Sequence, residues 1–548
     1  MKWKMGWTMM GCLLLISACA GGGNNTGTST GSPAPSAAPS AVASGSPSAS
    51  AAPEKTLEVT MMRGESPSQP VKPDSVAIVE VQKRLNVKIN MQSTPNTGYD
   101  DKKKTLIATN SMPDILLVDQ DDVQNYADSG VFLDLTTYLD KGDMPNLAKY
   151  IEQQPEINKL KVDGKLYGFP FVDIPEYSKA GGQFSMIRTD ILDELGLEKP
   201  TTFDELYAAL KKMKEAYPKS FPYAARAANG ANGTGNLLNA VAFQFGSGYS
   251  TWSGSKVYFE PTTQRYEFGP NSPAFKEAVT WLNKLYSEKI LDPDYITADS
   301  QLWKQKLTSG QSFFYDDNNG FGVNFTIALQ KDKPSAKFDM LPKLTAPNGT
   351  VRNPVFMIGQ LTQSWVVRAD VKEPERVVKF LDWFYSDEGT MLTNWGVEGE
   401  HYTIGPDGVP SFTDAFKDKY TKTAETANTA MWLSDLGALS AQLGLVSDDR
   451  NEMSLNGDVN PWNDIILDGM ADGTNYPYVL DPPFNEEERE QLKQLRSQID
   501  NYLEANMDKF IIKDGAIAAE WDSFVQALQD KGSDKLVKIF NDALARVK

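Results

Sequence analysis

The sequence predicts an α/β protein whose body folds as two lobes. Strand-like and helix-like segments alternate between Leu57 and Asp119 in the order strand, helix, strand, helix, strand, the pattern of a doubly wound sheet. The body, from about Glu54 to Lys548, is longer than a single hydrophobic core usually supports. Both of the 2 cysteines lie within the first 19 residues, so the body has to be held by apolar cores and not by disulfides.

The elements follow in order. Leu57-Glu58-Val59-Thr60-Met61-Met62 reads as a first strand. Asp74 to Leu85 reads as an amphipathic helix with Val76, Val79 and Leu85 at helical spacing. Val87 to Met91 alternates as a second strand, Lys102 to Asn110 is helical, and Met112 to Asp119 is a buried strand with a polar end. In such sheets a ligand sits beyond the carboxyl ends of the strands, which puts Asp119 and Gln120 at a binding position. Val131 to Leu135 follows, and Val162 to Pro170 reads as a hairpin turned at Asp163-Gly164. Thr202 and Glu205 form a capping-box signature ahead of a stripe at Leu206, Leu210 and Met213.

Ahead of this body stands a leader. Lys2 and Lys4 precede a short apolar run, the layout of a secretory signal and too short for a span of about 20 apolar residues. Its last four residues, Ile16-Ser17-Ala18-Cys19, resemble the bacterial lipobox, which implies cleavage after residue 18 and a lipid on Cys19. Residues 19–54 are rich in Gly, Ser, Pro and Ala, with too little apolar bulk to fold. A coil of that length reaches about 30–35 Å, a leash between a bilayer and the body. The expected location is the extracellular face of the cell membrane, contacted through the Cys19 anchor only. The formal net charge of -18 becomes more negative without Lys2 and Lys4, which argues against nucleic acid and anionic lipid surfaces as partners. With 1 His, His401, the chain has no HExxH site and no multi-histidine metal centre. No GxxxxGK[ST] or GxGxxG loop is present.

Several motifs together are similar to family 1 extracellular solute-binding proteins, in their long oligosaccharide-binding lipoprotein branch. They are the lipobox, Met112–Asp119, Gly130-Val131-Phe132-Leu133-Asp134-Leu135, Asp163–Pro170, Arg188–Leu206, Gly396-Val397-Glu398-Gly399-Glu400-His401-Tyr402, and the C-terminal stretch from Asn501 through Trp521 to Leu536. The resemblance implies a type II periplasmic-binding-protein-like fold. A hinge would join an N-lobe, about 55–175 and 312–365, to a C-lobe, about 180–310 and 366–548. It implies a monomer that closes on an oligosaccharide and delivers it to the permease of an ABC importer, with no catalytic residue and no cofactor. Long members often carry a calcium loop after the Thr-Phe-Asp-Glu-Leu helix. Here that place reads Glu215-Ala216-Tyr217-Pro218-Lys219-Ser220-Phe221-Pro222, where only Glu215 offers a carboxylate, and a hard cation takes six to eight oxygens. No metal is expected.

Sugar recognition uses ring faces for C–H patches and carboxylates or amides for hydroxyls. With 11 Trp, 21 Tyr and 25 Phe, the chain has aromatics to spare for such a surface. Trp252 lies in a Gly/Ser-rich loop, and Tyr315 and Asp316 end an apolar strand. Gln360 and Trp365 border the cleft by resemblance, and Trp395 and Glu400 flank a glycine turn. Trp462 lies in a polar loop; Trp432, in Met431-Trp432-Leu433, reads as core. With Asp119 and Gln120, these are the candidate ligand residues apart from Trp432. Each has a packing alternative. Trp281, Trp303, Trp383 and Trp521 sit in helical stripes and read as core, and His401 beside Glu400 reads as a satisfied polar residue. A surface glycosidase or polysaccharide lyase is the competing function, since two carboxylates at the required spacing have no local signature. A sugar-sensing or adhesion lipoprotein on the same fold is a third.

Overall fold

A computed structural model describes residues 55–65, 70–171, 183–228, 231–251, 254–355, 361, 363–406, 408, 410–421, 435–436 and 460–547. The leader, Cys19, the linker, Trp252, Gln360 and Trp432 lie outside these residues.

The predicted alternation forms the head of the first lobe. Strands β1 (Leu57–Glu65), β2 (Val87–Pro95) and β3 (Ile115–Asp119) are parallel, with helices α1 (Val76–Leu85) and α2 (Asn96–Ala108) between them. Leu57, Val59 and Met61 point from β1 into one core while Met62 enters the core on the other face, so the sheet is covered on both sides. The sheet order is β2-β1-β3, then the strand Gln363–Val367, then β4 (Gly168–Pro170), and Gln363–Val367 runs antiparallel to both its neighbours. The turn before β4 is the expected one: Val162 bridges Lys165, with Asp163 and Gly164 at φ 48° and 80°, both left-handed as a two-residue hairpin turn requires.

Two local expectations shift. On α1 the buried face is Ala77, Ile78 and Val81, and Val79 is 45% exposed. Helix α2 begins six residues before Lys102 and carries Tyr99 to a hydrogen bond with Leu117 O.

The second lobe is built on β5 (Gln183–Arg188), flanked antiparallel by Phe314–Asn318 and Phe338–Met340. The helix Phe203–Ala216 buries Leu206, Leu210 and Met213 there as expected. Thr202 caps it by accepting from Glu205 N, while the Glu205 carboxylate turns instead to Thr201. The helices Glu486–Ile512, Ala516–Asp530 and Ser533–Ala545 close the same core with Phe510, Trp521, Phe524 and Phe540. Trp281, Trp303 and Trp521 are buried and Trp383 packs against the first core, all four as read.

The expected lobe crossovers are corrected. The segment from 312 does not join the first lobe: Phe314–Asn318 pairs with β5. Nor does the chain leave the first lobe at 366, since helices Pro374–Trp383 and Asp387–Trp395 bury Val377, Val378, Leu381 and Leu392 against the first sheet. The chain thus passes between lobes from β4 to β5, from Val355 to Gln363, and between Leu436 and Asn460. The strand insertions are antiparallel pairings across long sequence separations, and no local pattern encodes them. Among the described residues no helix is long and apolar enough to cross a membrane.

Candidate ligand-binding cleft

The strand ends at these crossings define the candidate site. Gln363, the first residue of its strand, pairs with Asp119, the last of β3; Gln183, the first of β5, pairs with Asn318, the last of its strand. Each lobe therefore presents a polar strand end where the chain passes to the other lobe.

On the first lobe Asp119 is held from two sides. Lys103 Nζ donates to its Oδ2 at 2.6 Å and Gln363 Nε2 to its Oδ1 at 3.0 Å, yet the side chain is 48% exposed. Each carboxylate oxygen has further lone pairs, so a fixed, half-exposed acceptor stands at the strand end. Lys103 is 2% exposed and also pairs with Asp122 at 2.6 Å and Asp100 at 3.1 Å. Burial alone would lower its pKa, but the Asp119 and Asp122 carboxylates outweigh that and hold the ammonium above its ordinary range. Asp100, Asp119 and Asp122 bring carboxylate oxygens close enough together for a metal ion, and the lysine ammonium fills the place between them. Gln120 donates from Nε2 to Leu160 O.

On the second lobe Asp317 receives Arg226 through two parallel bonds of 2.8 and 3.1 Å. The guanidinium lies 4.6 Å from the Trp303 ring centre and 5.0 Å from that of Phe321, whose ring is half-buried. A planar cation fixed by both a carboxylate and two rings is a rigid element. Gln183 donates to Asn236 Oδ1, while its own Oε1 is buried with no partner among the described residues. An orphan acceptor beside the crossing suits a ligand hydroxyl.

Of the sequence-predicted residues, Asp119 and Gln120 lie at the carboxyl end of β3, next to the crossing at Gln363. Tyr315 has no exposed surface and packs edge-on against Trp303, so its ring is core. Asp316 is buried and accepts from Ser185 and Tyr223; burial raises its pKa against those hydrogen bonds, making it a structural carboxyl of the sheet. Trp365 is 3% exposed in the first core, where alternation along its strand points it inward. Trp395 is fully buried against Phe412, and the following Gly396 makes a tight turn at φ 85° where a Cβ would meet Leu436 and His401. Glu400 is exposed at the surface. Trp462 is buried in the second core and donates Nε1 to Asp339. His401 Nδ1 accepts the Val397 N–H, the satisfied role expected of it. Sequence reasoning missed Gln363, Gln183, Arg226 and Phe321. Arg226 alone left a trace, as a lone charge in the run Ala224-Ala225-Arg226-Ala227-Ala228. In the loop read for calcium, Pro218 O and Ser220 O accept from Lys214 Nζ at 3.0 and 2.5 Å, so these carbonyls face an ammonium.

Comparison with known proteins gives one consistent result. A family model described as bacterial extracellular solute-binding protein matches residues 70–391. Lipoprotein LipO of Bacillus subtilis is 27% identical over 361 residues, 64% of this chain and 67% of its own. The fructooligosaccharide ABC transporter substrate-binding protein FusA of Streptococcus pneumoniae is 23% identical over 505 residues, 87% of this chain and 88% of its own. The crystal structure of alginate-binding protein AlgQ2 without calcium ion superposes with a TM-score of 0.72 at 20% identity, covering 90% of this chain and 98% of that one, which shows a shared fold.

Proposed function

The chain belongs to the bacterial extracellular solute-binding proteins, and from that premise we propose that it captures an oligosaccharide between its lobes and delivers it to the permease of an ABC importer. The observation that carries this reading is the pair of strand ends. Asp119, fixed by Lys103 and Gln363, offers acceptors to sugar hydroxyls from one lobe; Gln183 and the Arg226–Phe321 platform offer an acceptor and a ring face from the other. Simultaneous contact favours a closed arrangement, and closure shifts an existing equilibrium by the ligand's greater affinity for that state. Trp252 and Gln360 remain candidates for the same cleft.

The chain acts as a monomeric binder, without turnover. Residues 1–18 direct export, a lipid on Cys19 anchors the protein at the outer face of the cell membrane, and the linker to residue 54 lets the body reach its membrane partner. LipO and FusA, a lipoprotein and an ABC substrate-binding protein, support this assembly of parts.

Calorimetric titration of the chain with neutral and uronate oligosaccharides, followed by chromatography of the sugars, tests the reading. The expected result is stoichiometric binding with every sugar recovered intact, and an Asp119→Ala variant at least tenfold weaker. Release of shortened products would establish the glycosidase or lyase reading instead. Failure of every saccharide to bind would remove the sugar as ligand.

A further inference from the structure

We propose that a cavity beside the helix Gly233–Gln244 is a second carbohydrate subsite, which extends the cleft so that the preferred ligand is a chain of several sugar units. The proposal rests on the oligosaccharide reading above and concerns where the rest of the chain lies.

The cavity measures about 390 Å³, within the range of about 300–1,000 Å³ typical of small-molecule sites. Its wall is aromatic: Phe243, Tyr249, Phe259, Tyr476 and Tyr478 all line it. Phe243, Phe259, Tyr476 and Tyr478 are half-buried, in contrast to Tyr315 and Trp395, which have no surface to offer. The Phe243 and Tyr476 rings meet edge-on, 6.1 Å apart and inclined at 69°, which makes two faces of a corner and not a stack closed on itself. A sugar ring has an apolar face for such a wall and hydroxyls around its rim.

The wall is held rigidly from behind. Arg352, 5% exposed, lies 4.1 Å from the Phe243 ring centre and donates to Phe243 O, Ser247 O and the buried Glu260 carboxylate. A buried ion pair with each guanidinium nitrogen engaged fixes the backbone at Phe243 and Ser247. Polar groups stand beside the rings: Ser250 and Asn239 both line the cavity, and Ser250 Oγ donates to Asn239 Oδ1 at 2.8 Å.

Two near neighbours in the chain relate the cavity to the residues assigned to the cleft. Asn236, bonded to Gln183 at the strand end, and Asn239, in the cavity wall, lie three positions apart on one helix face. From the first lobe, Glu156 and Lys159 line the opposite edge, and the neighbouring Leu160 O holds Gln120. Glu156 and Lys159 pair with each other and so present no uncompensated charge, which suits a neutral sugar. In this cavity an oligosaccharide would touch both lobes, at Glu156 and Lys159 of the first and at Phe243 and Tyr476 of the second.

The test is calorimetric titration of the full chain with fructo-, malto- and xylooligosaccharides of two to six units. For the series that binds, affinity is expected to rise with length. Phe243→Ala and Tyr476→Leu are expected to weaken the four- to six-unit ligands by tenfold or more while leaving the two-unit ligand within twofold, flattening the length dependence. Unfolding midpoints identify any variant that fails to fold, and Tyr476, being half-exposed, supplies the milder change. Equal loss at every length, or no loss at any, would overturn the subsite while leaving the oligosaccharide reading intact. Failure of all three series to bind the unsubstituted chain would overturn the neutral-sugar subsite, and failure of the uronate oligosaccharides as well would remove the oligosaccharide reading.

Discussion

In the first lobe a single buried ammonium, Lys103, is surrounded by three carboxylates, whereas in the second lobe Asp316 lies comparably deep and is held by the hydroxyls of Ser185 and Tyr223. The first arrangement holds the Asp119 carboxylate in place through Lys103 and Gln363 while leaving it half-exposed, able to accept from a ligand. The second pushes the Asp316 pKa up, because burial outweighs the two hydroxyl bonds, and leaves a carboxyl that serves the sheet. Burial depth and residue type therefore do not identify a binding carboxylate; what surrounds it does. The adjacent residues Asp316 and Asp317 make the same point, since only Asp317 meets the cation that reaches the cleft.

Removing the cation is the severest way to break this contrast. Lys103→Met leaves Asp122 buried without its counter-charge, which costs about 3–5 kcal/mol for a broken buried pair. Asp316→Asn removes a carboxyl already tending to the neutral form and should cost about 1 kcal/mol. Urea unfolding of both variants checks the order. Equal losses would mean that the two lobes do not differ in how they tolerate buried charge.

A second carboxyl of the second lobe sharpens the comparison through pH. Asp500, on the helix Glu486–Ile512, has a buried Oδ1 with no partner among the described residues. Burial pushes its pKa up to about 6, although Lys256 and Arg496 oppose the shift. The folded value lies above the unfolded one of about 3.9, so between these values the folded state binds more protons and stability falls as pH rises. The penalty is absent below about pH 4 and complete above about pH 6. Asp500→Asn should therefore stabilise by about 1–2 kcal/mol at pH 7.5 and by nothing measurable at pH 3.5. A gain of the same size at both pH values would show that packing, and not ionisation, is responsible.

The same contrast explains how much was legible in the sequence. Strands β1 to β3 were readable because each buries alternating or continuous apolar side chains within a few residues of its own turn. Phe314–Asn318 was not, since Tyr-Asp-Asp-Asn reads as a polar rim until its partners are known. Ser185, Tyr223 and Arg226 lie 131, 93 and 91 positions away. The position of Asp119 at the end of β3 was legible from the alternation of strands and helices, whatever its neighbours. The tryptophans misled for the opposite reason: Trp365 and Trp395 have loop-like neighbours in the chain but apolar neighbours in space. Gln183 and Gln363 gave no signal, because their importance comes from being first after a crossing that long-range pairing alone locates.

The smallest expected effect concerns the contact between the lobes. Arg489, from the second lobe's helix Glu486–Ile512, pairs with Asp128 and Asp163 of the first lobe. The arginine side chain is 9% exposed, but the carboxylates are 51% and 48% exposed, so water and salt screen the attraction. Such a pair contributes about 0.2–1 kcal/mol. That is little beside a fold, yet 1 kcal/mol changes a two-state ratio about fivefold, enough to bias lobes that move as bodies. Arg489→Ala should leave the urea midpoint nearly unchanged. It should also raise the radius of gyration measured by X-ray scattering at low salt to the value that the unsubstituted chain reaches at high salt. If the unsubstituted chain shows no salt dependence, this ion pair does not set the position of the lobes, and the closed arrangement depends on the ligand alone.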